Sequence, residues 1–207
     1  MDLLEVDGDA TEGFDRGSGN LPAGCGAGEC PQTHLLQRPA GHDAGAGLAL
    51  QRSGKHGRID FYACRLGGRA VLHLLRTPLT SEETDRVVEA AIAGDFVALR
   101  GTWQTGVERG NLAEVFDLRA RRHSHFEPPD GEDFDAIWLT ANGSLVVDVI
   151  VDSAHRLDAY DGAGRTTLES GPFEDPATGK MRAYWQTPSG PKTALLTGFP
   201  AATAKSF

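Results

Sequence analysis

His123 and His125 stand two positions apart in RRHSHFEPPDGEDFD (residues 121–135), and five carboxylates follow within nine residues, Glu127 to Asp135. If the preceding strand continues this far, both imidazoles point to one side and Glu127 continues the alternation. Two imidazoles and a carboxylate on one face form a donor set that suits Zn or Fe. His155 or His73 would have to complete it. The competing reading is a polar loop. Pro128-Pro129 and Asp130-Gly131 stop a strand, the acids favour solvent, and histidines beside Arg119, Arg121 and Arg122 offset the negative charge.

A metal on His123, His125 and Glu127 would support a hydrolase through metal-bound water; in a mostly-β chain, His123-Ser124-His125 also resembles the His-x-His of cupins, which implies a cupin-like oxygenase. The chain departs from that pattern: Glu127 follows too closely, and no later His with the family's Gly and Pro spacing is present. A second donor set is Cys25, Cys30, His34 and His42, the right types for tetrahedral Zn²⁺. A metal there would organise a segment with no core of its own. Its spacing matches no known zinc module, and chance scatter in a flexible tail is the alternative. The glycine-rich runs at 24–28 and 45–47 lack the strand and helix that a phosphate loop needs, and the two Gly-Lys pairs precede His56 and Met181. With no Gly-x-Ser-x-Gly elbow either, no catalytic constellation is complete. No cofactor is demanded; Zn and Fe are the candidates.

Trp103, Trp138, Trp185 and Tyr184 fall on expected strands and are the candidate ligand-binding aromatics. Gly101-Thr102-Trp103 resembles the Gly-x-Trp that opens lipocalin-like and avidin-like barrels. Asp148, flanked by valines, is either a buried carboxylate of raised pKa or a residue on a solvated face. His73, between Val71 and Leu75, reads as a core histidine with one satisfied hydrogen bond.

These residues need a scaffold. Turn chemistry divides the chain into short strands, with Gly67-Gly68, Asn142-Gly143, Asp161-Gly-Ala-Gly164 and Pro188-Ser-Gly-Pro191 between them. Strands are expected at 58–66, 69–76, 95–103, 111–120, 134–140, 144–152, 155–160, 165–170, 180–187 and 192–199. In 144–152, Leu145, Val147, Val149 and Val151 line one face, so this strand is central. TSEETDRVVEAAIAG (residues 80–94) reads as a helix: Thr80 and Glu83 form a capping box, and Gly94 sits at the C-terminal cap. The expected fold is α+β and mostly antiparallel, a rolled sheet or small barrel with this well-capped helix packed on it.

Residues 1–57 are glycine-rich, carry Phe14 as their one aromatic and show no periodicity, so they are expected to be disordered. Residues 58–207 form the single globular domain. The net charge of −9 opposes broad binding to nucleic-acid phosphates. The acidic start lacks a signal-peptide pattern, no apolar run reaches the roughly 18 residues of a membrane helix, and three cysteines are too few for a disulfide framework. A soluble, cytoplasmic protein without a membrane partner is expected. The leading expectation of function is a non-catalytic binding or accessory module for a protein or small molecule. The alternatives are a metal-dependent enzyme on His123, His125 and Glu127, and a single-stranded nucleic-acid binder of OB type, whose aromatics are present but whose basic groove is not.

Overall fold

The computed structural model describes residues 46–53, 58–65, 71–77, 86–105 and 108–206. They form four antiparallel sheets in chain order. The first contains β1 (Ala46–Ser53), β2 (Arg58–Arg65) and β3 (Val71–Thr77). The second is built from β4 (Arg86–Ala93), β5 (Phe96–Thr105), β6 (Glu108–Asp117) and β7 (Arg122–Phe126). The third contains β8 (Glu132–Leu139), β9 (Leu145–Val151), β10 (Ala154–Asp161) and β11 (Gly164–Glu169). The fourth holds β12 (Glu174–Thr178), β13 (Arg182–Thr187) and β14 (Gly190–Leu195). A 3-10 turn at Ala201–Thr203 then leads to β15 (Lys205–Ser206), which returns to pair with β7.

This corrects the expected fold class. None of the four sheets closes into a barrel, and no helix packs on a sheet among the described residues. The expected helix is instead β4, paired with β5 from Arg86↔Thr102 to Ala93↔Phe96; its first residues, with the capping box, lie outside the described residues. Gly94 does have a positive φ, +57°. A left-handed glycine suits a helix end and a tight hairpin equally, and here it turns β4 into β5. No helix of the described residues is long and apolar enough to cross a membrane.

The layers follow from alternation. Phe61, Ala63 and Leu74 of the first sheet pack on Val87, Val97, Leu99 and Phe116 of the second. The other face of the second sheet, with Ala98, Ala113, Val115 and Phe126, meets Phe134, Ile137, Leu145, Val147 and Val149 of the third. Val146, Leu157 and Ala159 on the far face of the third meet Ala183 and Trp185 of the fourth. Each large apolar side chain fully buried in these seams contributes roughly 1.5 to 3 kcal/mol. The strand at 144–152 is interior, as its alternation predicts: β9 lies between β8 and β10. β1 falls within 1–57, so the boundary drawn at 57 separates two paired strands.

The free edge of β8 is covered by side chains of the second sheet. Glu89 accepts from the Ile137 N–H at 3.1 Å, Arg100 donates to the Phe134 carbonyl at 2.9 Å, and Asn111 accepts from the Phe134 N–H at 3.1 Å. Glu89 and Arg100 also form an ion pair at 2.9 Å. The fourth sheet differs: Pro176 lies on one edge strand and Pro191 on the other.

Candidate functional site

RRHSHFEPPDGEDFD turns out to be strand β7, a turn at Gly131 (φ +81°) and the first half of β8. It carries the chain from the second sheet to the third, and its acids part company. Glu127 meets His125, and Glu132 turns to Arg156 and Arg165. Asp133 accepts from the Asn111 side-chain amide at 3.0 Å, Asp130 is exposed, and Asp135 approaches Asp148 and His155.

His123 and His125 do share a side, since both face Glu114 of β6, with Nδ1 atoms 3.8 and 3.1 Å from its Oε1. The second ring nitrogen of His125 lies 3.1 Å from Glu127 Oε1. An imidazole can donate from both nitrogens only when protonated, and the hydrogen bond to Glu114, with that to Glu127, raises the His125 pKa against the opposing effect of burial. His123 stacks on Phe116, with ring centroids 5.4 Å apart. The trio therefore reads as a charge-paired cluster. Neither proposed third ligand joins it: His155 is engaged by Asp148, and His73 is exposed on β3 beside Tyr62, not in the core.

The donor atoms that do converge belong to Asp135, Asp148 and His155, on three adjacent strands and all within 4.8 Å of one another. Two backbone features bring them together. Asp152 and Ser153 both have positive φ, 50° and 68°, and make a two-residue turn that pairs Val151 with Ala154. That register sets His155 diagonally across from Asp148 on one face, with Nδ1 at 2.8 and 3.0 Å from the two carboxylate oxygens. The second is a β-bulge: Phe134 pairs with Val149 and Ala136 with Asp148, which leaves Asp135 as the extra residue. A bulge re-aims a side chain that strict alternation would send elsewhere.

Asp148 is buried and His155 exposed. Burial pushes the Asp148 carboxyl up, partly opposed by His155, while the hydrogen bond to Asp148 raises the His155 pKa. Chemically, the pair is an oriented imidazole with a second carboxylate at hand. Sequence reasoning singled out Asp148 and weighed His155 only as a third ligand elsewhere. It missed Asp135, because bulges leave no periodic signal.

No protein-family model matches the chain, and no curated protein matches it.

The aromatics divide among the layers. Trp138 and Trp185 join the core between the third and fourth sheets, where the Trp185 indole donates to Glu169 at 3.3 Å. Trp103 lies across from Gly110, where an added Cβ would come within 2.8 Å of the indole. Tyr184 points outward from β13 and is 45% exposed. Opposite it is Thr193, and Leu195, opposite Arg182, shares that outer face. Met181 directly precedes β13. Cys25, Cys30, His34 and His42 lie outside the described residues.

Proposed function

We propose that the chain is a non-catalytic binding or accessory module and that its ligand is a protein, received on the outer face of the fourth sheet. One observation carries this reading. The exposed large apolar side chains among the described residues are Met181, Tyr184 and Leu195, at 49%, 45% and 61% exposure, and all belong to this one region. Scattered singly they would need no explanation; here Tyr184 and Leu195 share the outer face of one sheet and Met181 adjoins it directly before β13, the kind of grouping that association buries. Tyrosine supplies contact area with a polar tip and is favoured at interface centres. Because none of the described sheets closes on itself, the surface offered is a sheet face, which suits a protein better than an enclosed small molecule.

Site-specific photo-crosslinking tests it. A benzophenone amino acid is placed at Tyr184 and, as control, at exposed Arg119 in the β6–β7 turn, and each protein is irradiated in an extract of its native host. A discrete protease-sensitive adduct from position 184 alone, abolished by Leu195→Glu, is the expected result. Equal labelling from both positions, no adduct, or a nuclease-sensitive adduct overturns the proposal.

A further inference from the structure

We infer that Asp135, Asp148 and His155 form a binding site for a divalent transition-metal ion, held by one imidazole and two carboxylates with its remaining positions open to water.

Geometry is the first support. The three donors come from three neighbouring strands of one sheet, and the bulge at Asp135 brings its carboxylate into reach of the other two. Ligands of one tetrahedral Zn²⁺ at roughly 2.0 to 2.2 Å from the ion lie about 3.3 to 3.6 Å apart. A mutual spacing of up to 4.8 Å closes to this when the exposed Asp135 and His155 side chains move by about an ångström, a change of rotamer on the surface.

Charge is the second, independent support. The other buried acids among the described residues are compensated within the fold. Glu89 has Arg100, Asp117 has Arg122, Asp158 has Arg156 and Arg165, and Asp161 accepts the N–H groups of Ala163 and Thr197. Asp148 has only His155, and Asp135 makes no hydrogen bond or ion pair among the described residues. Two carboxylates thus converge without a guanidinium or ammonium between them. A divalent cation that displaces the imidazole proton balances both carboxylates at once.

The donor set selects the ion. Ca²⁺ takes six to eight oxygens and Mg²⁺ keeps its waters, whereas a mixed imidazole and carboxylate set suits Zn²⁺ and its first-row neighbours.

Zinc chloride titrated into the chelator-stripped full chain, followed by calorimetry, tests the inference. The expected result is one ion per chain whose binding is weakened at least about tenfold by Asp135→Asn and by His155→Ala. That ion should survive both His125→Ala and the double change Cys25→Ser, Cys30→Ser. His155 has 51% of its side chain exposed, so its removal should leave the fold intact, as an unchanged urea transition of the metal-free variant will show. Absence of binding overturns the inference, as does binding undiminished in both site variants. So does binding lost only with His125 or with the two cysteines.

Discussion

His125 shows how one residue read as a metal ligand can be occupied otherwise. Both ring nitrogens face carboxylates, from Glu114 and Glu127, and its pKa is raised. The folded state therefore holds the proton more tightly than the unfolded chain, whose histidine titrates near about 6.5. The resulting stability is fully present below that value and is lost as pH rises through the folded pKa. With 36% of the side chain exposed, the contribution stays under about 1 kcal/mol. Urea unfolding of the wild type and His125→Asn should show a larger gap at about pH 5 than at about pH 9. A gap independent of pH would mean that the ring contributes by packing alone. Asp148 was half legible at this scale: an acid amid valines is either a buried carboxylate of raised pKa or a residue on a solvated face, and the fold buries it. Its partner was not legible, because the turn at Asp152-Ser153 lacks the glycine that usually marks such a hairpin.

At the scale of elements, β4 is where local pattern and tertiary packing disagree. Val87, Val88, Ala91 and Ile92 fit a helical stripe, and Gly94 fits its cap. What the stripe leaves out is Glu89, which a helix on a sheet would send to solvent. In the fold it is buried between Arg100 and the Ile137 N–H, and burial pushes its carboxyl up against the pull of Arg100. Its acceptance of a backbone N–H helps to close the free edge of β8. Glu89→Ala should accordingly cost about 3 kcal/mol, since it removes the carboxylate partner of the half-buried Arg100 and leaves the Ile137 N–H without its acceptor. Chemical denaturation measures this, and a loss below about 0.5 kcal/mol would fit a solvent-facing residue instead. β9 was easy to place because both its faces are covered, which leaves a run of apolar residues broken only by Asp148. β7 and β12 went unplaced, the first since its polar face reads as loop and the second since Pro176 interrupts it.

For the whole molecule, stacking in chain order means that the layers are not equivalent. The third sheet is buried on both faces, by Val147 and Val149 on one and Val146 and Leu157 on the other, while among the described residues the fourth is covered on one face only. Amide hydrogen exchange should be slowest in β9 and β10 and clearly faster in β13, although β13 is also the centre of its sheet. Equal protection would show that the layers open as one unit. Sequence reading reached the strands but not the layers, because nothing local states which sheet a strand joins. The prolines on the two edge strands of the fourth sheet bear on how that sheet meets another molecule. Proline offers no N–H to a newcomer strand, so Pro176 and Pro191 oppose edge-to-edge growth into ribbons or fibrils. The sheet whose outer face carries Tyr184 and Leu195 is thereby guarded along its margins, which disfavours its extension by a further strand.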